Sequence, residues 1–173
     1  MLDFAIAIVS GIISGVVVNK FYEFKNAIKE RTKYFIELRN CIFNLIFECE
    51  QLYESDTCHE TSREMYDTLR KIMSIYIPVD YKWLKLNKEE QEYVNEFESI
   101  YQKIKDNVST IIFNYDEMNA AANNYNDQVE YRELLHNFIT TINSCKRDLE
   151  QECLKFKGNY PILQKIMKKY KIK

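Results

Sequence analysis

Residues 2–22 read LDFAIAIVSGIISGVVVNKFY, and this stretch decides how the rest of the chain is organised. From Phe4 to Val18 it contains no charged residue and no side chain more polar than serine. Basic residues then follow at Lys20, Lys25, Lys29, Arg31 and Lys33. An apolar run that ends at a cluster of basic residues is typical of a helix that lies in a bilayer. We therefore predict a transmembrane helix over residues 1–22.

Two other interpretations of this segment compete with a membrane span. A cleaved signal peptide requires a basic start, whereas the only charged residue before the run is Asp3. A helix buried in the core of a soluble domain stays open, because residues 2–18 are short for a span of about 17 to 25 residues. Snorkelling of Lys20, with Phe21 and Tyr22 as anchors at the interface, extends the segment to a workable length and favours the span.

The distribution of charge predicts the orientation of the helix. Because basic residues follow the run and none precedes it, residues 23–173 are expected in the cytosol, with Asp3 across the membrane. The chain has 5 cysteines and no CxxC pattern. That usage favours small buried thiols in a reducing compartment over disulfides or a zinc site.

One face of the N-terminal helix is less apolar than the others, since its residues recur at helical spacing. The residues on this face are Asp3, Ala7, Ser10 and Ser14. A lone span does not hide polar side chains, so we predict that several copies form a ring in which this face lines a pore. Gly11 and Gly15 form a small-xxx-small pair that permits close packing of helices. A plain anchor with incidental small residues is the alternative.

The remainder of the chain predicts a helical bundle. The whole sequence of 173 residues contains only 3 Gly and 2 Pro, which argues against a loop-rich or all-β fold. Apolar residues recur at heptad spacing from Phe35 to Leu52, so the first helix is expected to run from about Leu2 to Glu54. A second helix is expected over about 58–77, where Pro78 ends it.

Capping signals divide the second half of the chain. Asn87 with Glu90, and Asp127 with Glu130, have the spacing of capping boxes at helix starts. Gly158 is expected to end the fourth helix, and Pro161 to begin a short fifth one. The predicted fold class is thus all-α, in which an N-terminal transmembrane helix continues into a four- to five-helix antiparallel bundle.

Charge is unevenly spread along the chain. Residues 155–173 contain seven lysines and no acidic residue, whereas residues 1–154 carry 17 basic and 26 acidic residues. An acidic body is a poor general surface for nucleic acid, because phosphate binding requires clustered cations. The sequence is compatible with three partners for this basic tail, namely lipid, RNA and the acidic body itself.

Few residues suggest catalysis. His59 begins a segment that resembles a zinc-protease motif, but Arg63 replaces the second histidine, so neither a metal nor another cofactor is predicted. Arg132 and His136 are four residues apart and share one face of a helix. An arginine that stabilises phosphate charge beside a histidine acid or base is the minimum for RNA cleavage without a metal. A solvated arginine beside a half-buried histidine is the alternative.

A short anchor followed by an acidic helical body that bears an Arg132…His136 pair resembles a known family. It is similar to the small accessory membrane proteins that accompany the RNA-guided ribonuclease of type VI-B CRISPR systems. The body resembles the HEPN bundle, a fold of ribonucleases and their inactive relatives. The HEPN signature has four to six residues between the Arg and the His, whereas three separate Arg132 from His136. Enzymatic activity is therefore not predicted.

The resemblance implies a function and its partners. Proteins of this kind form rings in the bacterial inner membrane and act as pores that depolarise the membrane in antiphage defence. The implied partners are further copies of the chain, the lipid bilayer and, functionally, the guided ribonuclease, while direct RNA binding stays open. A membrane-anchored HEPN-type ribonuclease and a non-catalytic membrane-tethered adaptor are the alternatives.

Overall fold

The fold consists of helices only, in every part of the chain that the structure describes. The computed structural model describes residues 2–54, 63–78, 84–122 and 128–172, with side chains from residue 14 in the first range and from residue 131 in the last. These ranges contain no strand, which confirms the all-α prediction. The four helices are α1 (Leu2–Tyr53), α2 (Arg63–Ser74), α3 (Lys88–Ala122) and α4 (Gln128–Lys169).

Neighbouring helices run in opposite directions. Between α3 and α4, the ring centroids of Phe97 and Phe156 lie 5.2 Å apart, and those of Tyr115 and Phe138 lie 6.2 Å apart. Residue numbers therefore rise along one helix as they fall along the other. Tyr66 of α2 meets Tyr115 at 4.9 Å, near the start of α2 and the end of α3.

Helices α1 and α4 are also antiparallel. Phe35 lies 5.6 Å from Tyr170, while Lys157 pairs with Glu50 at 2.7 Å between Nζ and Oε1. The sides of the bundle are thus α1–α2, α2–α3, α3–α4 and α4–α1, as expected for an antiparallel four-helix bundle.

The core lies between these four helices. The predicted heptad stripe of α1, from Phe35 to Leu52, is buried throughout, and the preceding residue, Tyr34, is the first buried residue described on α1. Burying each large apolar side chain stabilises the fold by about 1.5–3 kcal/mol. Fully buried side chains from all four helices meet there, among them Phe35, Leu38, Leu45, Leu69, Ile104, Ile111, Leu149 and Leu163. Four cysteines are buried thiols, as predicted, and burial raises the pKa of Cys41 to about 11.

The end of α2 is held by a buried lysine of α3. Lys105 donates hydrogen bonds from Nζ to the carbonyl oxygens of Ile72 and Met73, at 2.6 and 2.7 Å. These carbonyls belong to the last turn of α2, where no residue of the helix itself can bond them. Burial lowers the pKa of the Lys105 ammonium group, so the two carbonyls offset only part of the cost of its desolvation.

The start of α3 is the predicted capping box. The backbone N–H of Glu90 donates to Oδ1 of Asn87, and the backbone N–H of Asn87 donates to Oε2 of Glu90, both at 2.9 Å. The corresponding prediction for Asp127 and Glu130 lies outside the described side chains, as does the predicted loop that begins at Asn123.

The predicted break near residue 158 is wrong. Helix α4 continues through Gly158 and Pro161 to Lys169, so the described chain has no separate fifth helix. Gly158 does not have the positive φ of a C-terminal cap. Proline removes one backbone hydrogen bond and costs about 3 kcal/mol in a helix interior. Burial of Leu163, Ile166 and Met167 on the core side outweighs that cost, since each large apolar side chain contributes about 1.5–3 kcal/mol.

Candidate functional site: the projecting helix and its junction with the bundle

The first part of α1 is not covered by the other described helices. Every residue from Ser14 to Lys29 is exposed, and burial on α1 begins at Tyr34. We call residues 14–29 the projecting segment, because α1 is one unbroken helix and this part lies beyond the core. The predicted boundary between the transmembrane helix (residues 1–22) and the cytosolic bundle (residues 23–173) falls inside α1. This division of the chain stays a prediction.

Apolar and aromatic side chains of the projecting segment face solvent. Val17 is 61% exposed, Phe21 63% and Phe24 65%. Leaving such side chains in water costs about 25 cal/mol for each Å² of apolar surface. A contiguous apolar surface of this kind marks a protein or membrane interaction site.

The residues predicted to line a pore or to pack helices fall partly within this segment. Ser14 and Gly15 are exposed on it, and a Cβ added to Gly15 meets no other atom within 4 Å, so another helix can approach there. The side chains of Asp3, Ala7, Ser10 and Gly11 lie outside the described part of the structure.

The predicted interface anchors are all exposed. Lys20, Phe21 and Tyr22 lie on consecutive positions of the projecting segment, and the rings of Phe21 and Tyr22 meet edge to face at 6.4 Å. Among the helical residues whose side chains are described, no stretch is both long enough and apolar enough to cross a membrane.

Arg31 holds the junction between α1 and the α2–α3 connection. Its Nε donates to the carbonyl oxygen of Leu84 at 2.8 Å, and its Nη2 donates to that of Lys85. Lys85 has a φ of 47°, a left-handed backbone conformation that is uncommon for a residue with a side chain. The two hydrogen bonds from Arg31 stabilise that conformation and tie α1 to the connection at the point where α1 leaves the core.

Glu90 joins the other elements at this junction. Besides its bond in the capping box, Glu90 accepts hydrogen bonds at Oε1 from Nζ of Lys169 and from the hydroxyl of Tyr170, at 2.5 and 2.7 Å. Its side chain is 1% exposed. Burial alone would raise the pKa of Glu90, but the bonds from Lys169, Tyr170 and the Asn87 N–H outweigh it and lower the pKa. The sequence revealed the cap but not this second role.

Arg132 and His136 lie together but do not form an enclosed site. They line an open depression of about 410 Å³ with Glu133 and Asn137, so its described lining comes from one stretch of α4. All four residues are exposed, including His136, for which the sequence left a half-buried position open. Charged donors stabilise an oxyanion or a phosphate most strongly in a site that excludes water. This depression is open to water.

No group of His, Cys, Asp and Glu side chains suited to a metal ion occurs within the described ranges. His59 lies outside them.

A second exposed apolar feature occurs on the body of α1, where Phe43 and Phe47 are 47% and 58% exposed. Phe43 touches Tyr160 of α4 at 5.7 Å, so this pair lies along the α1–α4 side of the bundle.

Comparison with known proteins gives no assignment, because no protein-family model, no curated protein and no solved structure matches the chain.

Proposed function

We propose that this protein is a membrane-attached, ring-forming pore of the bacterial inner membrane. The N-terminal part of α1 crosses the bilayer once, the helical bundle lies in the cytosol, and several copies surround a central passage. The proposal includes a role in antiphage defence, in which the pore depolarises the membrane together with an RNA-guided CRISPR ribonuclease. The defence role rests on the family resemblance and on no structural feature.

The observation that carries the membrane attachment is the solvent exposure of the projecting segment. Its apolar side chains have no cover within the described chain, and the uncharged run from Phe4 to Val18 precedes them in the sequence. From Leu2 to Tyr22, a helix that rises 1.5 Å per residue extends about 31 Å. The hydrocarbon core of a bilayer is about 30 Å thick, so this part of α1 is long enough when its anchors lie at the interface.

Self-association is supported by the small residues of the same helix. Gly15 has open space around its missing Cβ, and Gly11 lies one helical turn away along the same side of the sequence pattern. The exposed rings of Phe43 and Phe47 offer a further surface on the body of α1. A closed ring of identical copies builds a passage from one helix of each copy.

Ion flux through vesicles that contain the full-length protein tests the pore. We expect Ser10→Leu and Gly11→Leu each to abolish flux at normal expression, because each places a bulky side chain at a pore-lining or helix-packing position. Val18→Leu is the matched control, since it changes an already apolar position of the same helix. Normal flux in both test variants would exclude the pore.

A tethered adaptor is distinguished by exchanging the span. Replacing residues 2–18 with an unrelated apolar helix of equal length retains an anchor but removes the polar face and the small-residue pair. The pore predicts loss of flux and of phage protection after this exchange. Full protection after the exchange would instead assign the function to the bundle.

A further inference from the structure

The positive charge of this chain is concentrated at one end of the bundle. Three segments meet there, residues 20–37 of α1, residues 84–92 around the start of α3, and residues 165–172 at the end of α4. They contain 11 basic and 6 acidic residues, a balance of +5, while the remaining residues hold 13 basic and 20 acidic, a balance of −7. We call these three segments the basic end.

Described contacts bring the three segments together. Arg31 bonds the carbonyls of Leu84 and Lys85, which joins the first segment to the second. Lys169 and Tyr170 bond Glu90, which joins the third segment to the second. The sequence showed a basic tail but could not show which part of the molecule it lies beside.

Several lysines of the basic end have no acidic partner among the residues that the structure describes. Lys85, Lys168 and Lys171 are exposed, and none forms an ion pair with a carboxylate in the described ranges. Others are paired with glutamates, so their charge is largely balanced. These pairs are Lys33–Glu37, Lys88–Glu92, Lys165–Glu89 and Lys169–Glu90. Lys20, Lys25 and Lys29 of α1 are exposed and also form no ion pair in the described ranges. The unbalanced charge therefore comes from α1, from the connection before α3 and from the end of α4.

The basic end contains residues 20–29 of the projecting segment and surrounds the point where α1 leaves the bundle. Along a helix that rises 1.5 Å per residue, Arg31 is about 10 Å from Phe24, the last aromatic residue of the projecting segment. That distance is close to the screening length of about 8 Å at physiological salt, so charges there still interact with a surface that holds Phe24. Negative lipids are concentrated in the cytoplasmic leaflet and attract basic clusters next to a span.

We propose that the basic end is a docking surface for anionic phospholipid headgroups, with Lys85, Lys168 and Lys171 as its main contacts. This inference rests on the proposed membrane attachment and adds the lipid class that the bundle recognises. It assigns the end of the basic tail, residues 165–172, to lipid, because the fold places that part where the projecting helix leaves the bundle. The connection is held by Arg31, so Lys85 is presented without further ordering of its backbone.

Thermal unfolding of the full-length protein in detergent micelles tests the assignment. The added probe is phosphatidylglycerol, with phosphatidylcholine as the neutral comparison, because a ligand that binds the folded state raises the melting temperature. We expect phosphatidylglycerol to raise the melting temperature of the wild-type protein and phosphatidylcholine to leave it unchanged. The basic-end variant carries the three substitutions Lys85→Gln, Lys168→Gln and Lys171→Gln. For this variant, we expect the phosphatidylglycerol concentration that gives half of the maximal shift in melting temperature to rise roughly tenfold or more.

A matched variant controls for overall charge. The control variant carries the substitutions Arg63→Gln, Lys71→Gln and Arg147→Gln. It also removes three exposed cations that have no described acidic partner, but these cations lie outside the basic end. It should respond to phosphatidylglycerol as the wild type does. An equal loss in the two variants, or an equal shift with both lipids in the wild type, would overturn the assignment.

Two further measurements separate the other outcomes. A short single-stranded RNA that shifts the wild type more than phosphatidylglycerol, through the same three lysines, would assign the surface to nucleic acid and reject lipid. Extraction from membranes tests the attachment independently, because the basic-end variant should still require detergent for release. Release of the wild type without detergent would refute the proposed function, while the lipid titration would still report on the basic end.

Discussion

The ring of Phe35 in α1 stacks on the ring of Tyr170, which directly follows α4, with centroids 5.6 Å apart and planes inclined by 20°. Phe35 is fully buried and lies next to Tyr34, the first buried residue described on α1. The hydroxyl of Tyr170 donates to Glu90 of α3 at 2.7 Å. This stack therefore fixes the end of α4 at the point where α1 leaves the core, and it joins three helices at the base of the projecting segment.

Replacing Phe35 should destabilise the bundle strongly. Phe35→Ala removes a fully buried ring and is expected to cost about 3–5 kcal/mol of unfolding free energy. Tyr170→Phe keeps the stacked ring and loses only the hydrogen bond to Glu90, for which we expect a cost of about 1–3 kcal/mol. Thermal unfolding in detergent measures both. An equal loss in the two variants would mean that the stack itself contributes little.

Glu90 should make the stability depend on pH in the acidic range. Because its pKa is lowered in the folded state, its contribution is present above the unfolded pKa of about 4.3 and is lost as the pH falls through the folded value. We expect Glu90→Gln to be less stable at neutral pH by about 1–3 kcal/mol. We also expect it to lose less stability than the wild type between about pH 5 and pH 3.

Glu89→Gln is the matched control for that experiment. Glu89 also pairs with a lysine of α4, Lys165, but both side chains are largely exposed, at 51% and 72%. Exposed ion pairs contribute about 0–1 kcal/mol. The control should therefore follow the wild type, and a flat acid response in the wild type would contradict the role of Glu90.

Continuity of α4 can be tested at its glycine. Gly158 lies on an exposed face, and an added Cβ meets no atom within 4 Å. In a continuous helix, Gly158→Ala should stabilise the protein by about 0.5–1 kcal/mol, since alanine has the higher helix propensity. If Gly158 instead capped the helix with a positive φ, the same change would destabilise it. The sign of the shift in melting temperature decides between the two.

Local patterns predicted the parts of the fold that depend on near neighbours. The heptad stripe from Phe35 to Leu52 is buried, and Asn87 and Glu90 form the capping box, because both features require only residues a few positions apart. The break at Pro161 was predicted wrongly by the same local reasoning. Burial of Leu163 and Ile166 against the core, which no local pattern reveals, keeps the helix continuous.

The candidate site could be predicted only in part. The apolar run at the amino terminus marked α1, but its lack of cover in the described chain depends on where the other three helices end. The partners of Glu90 are 79 and 80 residues away in sequence, at Lys169 and Tyr170. The basic end likewise depends on the register between α1 and α4, so the sequence could not assign the tail to a partner.

Ribonuclease activity is expected to be absent. Arg132 and His136 lie on an exposed stretch of one helix, in a depression whose described lining is open to water. We expect purified full-length protein not to cleave RNA, and His136→Ala to retain the ion flux and phage protection of the wild type. Cleavage that disappears in His136→Ala would instead establish the enzymatic alternative. Thr140→Ala, one turn further along the same helix, controls for unspecific effects of substitution.

The central claim is that the N-terminal helix lies in lipid and meets further copies of itself there. The mass of the full-length particle, extracted from membranes in detergent and corrected for bound detergent, tests it most directly. The account predicts release only with detergent and one discrete species whose protein mass is a multiple of the 20.8 kDa chain. A single 20.8 kDa chain that leaves the membrane fraction without detergent would contradict it.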